Sequence, residues 1–254
     1  MLRIIARLLV PLSGHVSIHG ALERQRFRTG FVFQDATLLP WRTAAANIRL
    51  PGELEQSLVR DSRVHELAQL VGLSPNDLQK RPAALSGGMK MRVSLARALA
   101  LEPDVIICDE PVSALDVSIQ AQVINLMEEL QDLLGLTYLF ISHDLGMIRH
   151  IADRVAVMYL GKIMELADVD SLYADPLHPY TRALQSSAPV PDPVVEATRV
   201  KILLKGDIPS SSNPPPGCPF STRCPEAVDR CRNEVPVWRE VAPGHGVACH
   251  LVGG

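Results

Sequence analysis

Apolar positions recur along this chain in two rhythms. At the start, Leu2, Ile4, Ile5, Leu8 and Leu9 fall at helical spacing, with Arg3 and Arg7 on another face, which predicts a helix over 1–10. No Ser, Thr, Asp or Asn stands before it as an N-cap. Pro11 and Ser13-Gly14 read as a turn, and the alternation His15-Val-Ser-Ile-His19 predicts a strand, as does Gly30-Phe-Val-Phe-Gln34. Residues 44–80 read as mainly helical, and a helix over 86–101 follows a Gly-Gly turn. Val105–Cys108 and Leu136–Ile141 are continuous apolar runs, the pattern of parallel strands buried on both faces. Helical periodicity returns over 119–134 and 145–152, and 154–166 predicts two strands around Gly161-Lys162. Strands alternating with helices imply an α/β sheet. From about residue 188 the rhythm stops. Ser187-Ala-Pro-Val-Pro-Asp-Pro193 and Pro209–Pro216 read as loop or extended linker. No internal repeat is visible.

Composition narrows the picture. With 254 residues and 47% hydrophobic content, the chain suits one large domain, or one domain with an appendage. The net charge of −3 argues against a dedicated nucleic-acid binder. Residues 1–104 carry 14 Lys and Arg against 9 Asp and Glu, and the remainder 11 against 19; ordinary surface charge accounts for this. No apolar run is long enough to cross a bilayer. Arg7 interrupts the first apolar run and no small-residue cleavage site follows, so the N-terminus does not read as a signal peptide, and the chain reads as cytosolic. Cys108 stands alone in an apolar stretch and reads as a small core residue. Cys218, Cys224, Cys231 and Cys249 crowd the C-terminus, and in a cytosolic protein such clustering points to metal before disulfide.

Three stretches carry chemistry. In Leu85-Ser-Gly-Gly-Met89, Ser86 can cap the following helix, while Gly87 and Gly88 let backbone N–H groups approach an anion at the positive end of the helix dipole. By itself this is equally an ordinary turn. Val105-Ile-Ile-Cys-Asp-Glu110 is an apolar strand ending in two acids, and ligands bind at the carboxyl ends of parallel strands. One carboxylate can hold Mg²⁺ and the next can orient an attacking water. A second apolar strand ends in Ser142-His143-Asp144, where a histidine can reach a terminal phosphate.

Gln34 after a strand, then LSGGM, ICDEP, SALD and SHD, in this order and at these intervals, resembles the ATPase subunits of ABC transporters. The resemblance covers nearly the whole chain. It implies a P-loop NTPase-like α/β fold with a helical subdomain over about 40–100, an ATPase domain over 1–187, and a linker with a C-terminal extension over 188–254. By the same resemblance Asp109 is the Mg²⁺-associated acid, Glu110 the general base, His143 the switch histidine at the γ-phosphate, and Gln34 the residue that couples the site to the permease. Ser86, Gly87 and Gly88 would contact ATP held by the opposite subunit, and Asp116 would lie in the loop between the two sites. The implied cofactors are ATP and Mg²⁺. The implied partners are integral-membrane permease subunits, a second ATPase subunit and, indirectly, a substrate-binding protein, with no nucleic acid. The implied place is cytoplasmic, at the inner face of the membrane.

In this family the helix matching 1–10 follows a phosphate loop, G-x-x-x-x-G-K-S/T. These residues hold no such loop: the Gly161-Lys162 pair is followed by Ile163 and reads as a strand turn. The expectation is a chain that by itself binds ATP weakly and turns it over poorly; a non-catalytic remnant is the rival reading. Phe33–Thr43 and LSGGMKMRVSLARAL resemble nitrate, sulfonate or taurine importers. CDEPVSALDVSIQAQVINLMEELQ, LYADPLHPYTRALQSSAPVPDP and GCPFSTRCPEAVDRC resemble oligopeptide and dipeptide importers, and this longer stretch favours peptide import. The four C-terminal cysteines lack the close pair of a structural zinc site and match no common ferredoxin spacing. The resemblance to peptide importers favours a 4Fe–4S cluster over zinc there. His178-Pro-Tyr-Thr181 reads as a helix start in the family pattern, and Trp41 as half-buried packing in preference to a permease contact.

Overall fold

A computed structural model describes residues 28–189, 198, 201–210 and 212–253. The helix and strand expected over 1–10 and 15–19 lie outside these residues, as do 190–193 of the expected linker. The chain divides into two compact units, Met1–His143 and Asp144–Gly254.

The first unit is built on a parallel three-stranded sheet, in the order β1 (Thr29–Val32), β2 (Val105–Asp109), β3 (Thr137–Ile141). Val32 lies opposite Cys108, and Asp109 opposite Ile141, so the three carboxyl ends are level. Ile106, Ile107 and Cys108 are fully buried, as their unbroken apolar run requires. Between β1 and β2 run α1 (Ala44–Leu54), α2 (Asp61–Leu70), α3 (Pro75–Leu78) and α4 (Gly87–Leu99). These occupy the span read as a helical subdomain. Thr43 caps α1 by accepting the Ala46 N–H, and Ser74 with Asp77 closes a reciprocal capping box on α3. Lys80 and Ser74 beside Asp77 hold its carboxyl down at about 2. Helix α4 buries Met91, Val93, Leu95, Ala96 and Leu99. Helix α5 (Val117–Leu134) buries Val123, Ile124, Leu126, Met127 and Leu130, the 3.6-residue stripe visible in the sequence. It stops at Gly135, whose φ of +64° is left-handed and whose N–H donates to the Gln131 carbonyl.

The second unit begins with α6 (Leu145–Ile151), followed by β4 (Arg154–Tyr159) and β5 (Lys162–Asp168) as an antiparallel pair turning at Gly161. Helices α7 (Val169–Ala174), α8 (Pro179–Ser187) and α9 (Asp229–Asn233) come next, and a short hairpin, β6 (Arg239–Ala242) and β7 (His245–Val247), completes an antiparallel sheet in the order β4-β5-β7-β6. The hairpin was not expected from the residue pattern. Tyr159, Met164, Cys218, Phe220 and Cys231 form one buried cluster, with Tyr180, Leu204 and Cys224 against it. The C-terminal extension is therefore a layer of this unit's own core. His178 caps α8 through Nδ1, which accepts the Tyr180 N–H at 3.0 Å.

Candidate functional site: the carboxyl edge of the parallel sheet

The three level strand ends deliver the residues singled out above to one edge. Gln34 follows β1 and is exposed, Asp109 is the last residue of β2 with Glu110 next, and His143 stands two residues beyond β3. The His143 imidazole Nδ1 lies 3.3 Å from Glu110 Oε1. His143 keeps 73% of its side-chain exposure and Glu110 32%, so this contact meets solvent. Glu110 has a φ of +46°, a conformation that costs a non-glycine residue about 1–3 kcal/mol and persists only when its surroundings over-determine it. Three bonds do so. The Glu110 N–H donates to the Ile141 carbonyl at 3.0 Å, and its own carbonyl accepts from the Ser113 N–H at 3.2 Å and Ser113 Oγ at 3.0 Å. The carboxylate is thereby turned out of the sheet toward His143.

Ser86 caps α4 as expected, accepting the Met89 N–H at 3.2 Å. This leaves the helix N-terminus, with Ser86 and Gly87 exposed, as an anion-favouring surface. A Cβ at Gly88 would come within 2.7 Å of Ile119 Cγ2, and one at Gly87 within 3.1 Å of Leu115 Cδ2. The glycines thus also admit the start of α5. Asp116 is exposed at the N-cap of α5 without a capping bond of its own. The loop before it is held by Gln120, a residue the sequence reading missed, whose amide donates to the carbonyls of Val112 at 3.1 Å and Leu115 at 2.9 Å. Its only sequence signal is an amide one turn into α5. Trp41 is 67% exposed, against the half-buried packing expected. The Leu39–Trp41 stretch runs as loop and turn before α1, so no sheet or helix face is available to cover the ring.

The four C-terminal cysteines are free thiols in the second unit. The Cys218 N–H donates to the Cys231 carbonyl at 2.8 Å. Burial pushes the Cys218 and Cys249 thiols up, and Cys224 up to about 11, and each of the three also feels other thiols of the group. Among the described residues, no three His, Cys, Asp or Glu side chains stand as ligands around one metal ion. Cys108 is fully buried, as expected of a core residue, and burial raises its thiol further still. No described helix is long and apolar enough to cross a membrane.

Comparison with known proteins shows the family. Residues 1–113 match the ABC transporter family, and residues 164–231 match the oligopeptide/dipeptide transporter C-terminal region. The chain is 47% identical to the putative oligopeptide transport ATP-binding protein YkfD and 49% identical to the oligopeptide transport ATP-binding protein AppF, both of Bacillus subtilis; each match covers 98% of this chain and 80% of the relative. It is 48% identical to a putative peptide import ATP-binding protein of Brucella ovis, over 97% of this chain and 82% of the relative. Among solved structures it is similar to the dimeric, post-hydrolysis ATP-binding cassette MJ0796 bound to ADP and phosphate. That likeness has a TM-score of 0.57 and 29% identity, and covers 66% of this chain and 78% of the other.

Proposed function

Because this chain belongs to the ATP-binding subunits of ABC transporters of the oligopeptide/dipeptide type, we propose that it couples ATP hydrolysis to the uptake of peptides through membrane permease subunits. The observation that carries the substrate class is the 47–49% identity, over nearly the whole chain, to oligopeptide transport ATP-binding proteins. In this reading residues 1–187 supply the ATPase machinery and 188–254 the extension, and the subunit works at the cytoplasmic face of the membrane as one of two ATPase subunits. A substrate-binding protein delivers peptide to the permeases, and no nucleic acid takes part.

Each residue then has a task. Asp109 would hold Mg²⁺, which would supply neutralising charge to the phosphates. Glu110, turned out of the sheet by its left-handed backbone, accepts a proton from the attacking water. His143, held 3.3 Å from Glu110, orients that carboxylate and donates toward the terminal phosphate. Gln34 senses the occupied site. Ser86, Gly87 and Gly88 present backbone N–H groups to a nucleotide on the opposite subunit, and Asp116 lies between the two sites.

The test is the assembled importer in vesicles. The unsubstituted complex takes up peptide with ATP. Glu110→Gln lowers hydrolysis at least a hundredfold while nucleotide still binds, within the 10²–10⁴ range of general acid–base catalysis. Uptake of taurine or nitrate in place of peptide would sink the substrate class, and an active Glu110→Gln the assignment of the base.

A finer part of the proposal concerns Cys218, Cys224, Cys231 and Cys249. The support for a 4Fe–4S cluster on them is the resemblance to peptide importers; in the structure Cys218, Cys224 and Cys231 share one core cluster, and no three described ligands converge on one metal position. Anaerobically purified protein is expected to carry iron and absorb in the visible, and to lose both in Cys231→Ser. Protein with zinc, or with no metal at all, removes the cluster from the reading.

A further inference from the structure

The loop joining β1 to α1, residues 33–43, carries Gln34 at one end and the exposed Trp41 near the other. Two polar side chains grip it. On α4, one guanidinium nitrogen of Arg97 donates to the Thr37 carbonyl at 2.9 Å, and the other to the Ala36 carbonyl at 2.8 Å and to Thr37 Oγ1 at 3.1 Å. On α1, the fully buried amide of Asn47 donates to the carbonyls of Leu39 at 3.2 Å, Arg42 at 3.4 Å and Thr43 at 3.0 Å, and its oxygen accepts the Leu39 N–H at 2.7 Å. Between the two grips Thr37 sits at a φ of +43°, a left-handed conformation that a β-branched residue adopts only under constraint. The Arg97 fork supplies that constraint, binding both the carbonyl and the hydroxyl of the strained residue. A planar guanidinium can do this and a lysine ammonium cannot reproduce it. Burial also lowers the guanidinium's proton affinity, a measure of how far it has been withdrawn from water to make these bonds.

We propose that Arg97 is a positioning residue that locks the Gln34 loop to the helix beginning at Ser86-Gly87-Gly88, so that displacement at Trp41 reaches both as one rigid piece. The lock rests on the reading of this chain as a transport ATPase. Loops ordinarily absorb displacement by local dihedral changes; this one is tied at Ala36, Thr37, Leu39, Arg42 and Thr43. Arg97 lies on the same helix as Ser86–Gly88, ten residues along from Gly87. A pull on the loop is therefore a pull on α4.

The experiment measures peptide uptake and ATP hydrolysis on the same vesicles holding the assembled importer, with and without Arg97→Lys. The expected result is a threefold or greater fall in peptide taken up per ATP hydrolysed, with KM for ATP within twofold of the unsubstituted complex. Loss of folded subunit would lower both rates together and leave the ratio unmoved, so an unchanged ratio overturns the proposal. Should Arg97→Lys not assemble, Thr37→Ala, which removes one acceptor of the same fork, is read by the same ratio with an expected fall of about twofold, and no fall overturns the lock. If the unsubstituted complex moves no peptide, the transport reading fails first. The lock is then read in the full chain from Trp41 fluorescence anisotropy in a Trp238→Phe background, which must drop in Arg97→Lys; equal anisotropy overturns it.

Discussion

Single residues in this protein are held in costly states by short-range bonds that a sequence does not announce. Glu110 and Thr37 both stand at positive φ, and each is fixed by partners distant in the chain: Ile141 for the first, Arg97 for the second. His178 is another such case. It is 1% exposed, and burial holds its imidazole down at about 4, below the ordinary 6.5, with Arg182 adding to the effect and Glu165 opposing it. Its Nδ1 accepts the Tyr180 N–H, so the folded chain needs the neutral ring. The sign follows from proton binding. Between pH 6.5 and 4 the unfolded chain binds a proton at this site that the folded chain does not, so folding stability is full above 6.5 and falls as pH drops through that window. The loss is at most about 1.4 kcal/mol per pH unit. We predict that an NMR titration of the folded chain finds the His178 ring neutral at pH 5.5; a midpoint near 6.5 would sink the argument.

At the scale of elements, what the sequence makes legible is what local periodicity encodes. Helix α5 and strands β2 and β3 appear within two residues of their expected bounds, because each carries a contiguous or regularly spaced apolar set; β2 and α5 bury theirs, whereas β3, expected to be buried on both faces, is only half-buried. Ser86 at the head of α4 was readable for the same local reason, since a cap acts on N–H groups two or three residues away, whereas the start of α8 at His178 followed from the family resemblance and the ring's capping role was not read. Strand β6 was not readable. Its residues Arg239, Glu240, Val241 and Ala242 are mostly exposed, so no alternation of apolar and polar positions marks it. Its place in the sheet comes from pairing with β7, which in turn pairs with β5 at Glu165 and Leu166. The candidate site divides in the same way. Motif spacing located Asp109, Glu110, His143, Gln34 and Ser86–Gly88, whereas the residues that hold those motifs in shape, Gln120, Asn47 and Arg97, carry their information only in tertiary contacts.

At the scale of the whole chain, a buried carboxylate organises the second unit. Glu165 has no exposure, and its oxygens accept the N–H groups of Leu177 at 2.7 Å and His178 at 3.0 Å and face His245 Nε2 at 2.8 Å. One side chain thus ties β5 to the start of α8 and to β7. Removing one partner of a buried charge costs about 3–5 kcal/mol, so this junction is among the least replaceable in the fold. Its partners lie 12, 13 and 80 residues away along the chain.

That spread sets a clock for biosynthesis. At 5–20 residues per second, a ribosome needs roughly 4 to 16 s to go from Glu165 to His245. Throughout that interval β5 has a strand edge without its β7 neighbour, and the carboxylate lacks its histidine. We predict that ribosome-stalled nascent chains in which β7 has not yet left the exit tunnel stay sensitive to protease across 154–187, and that chains in which it has emerged become resistant. Equal resistance in both would mean that the first part of this unit folds without its last hairpin.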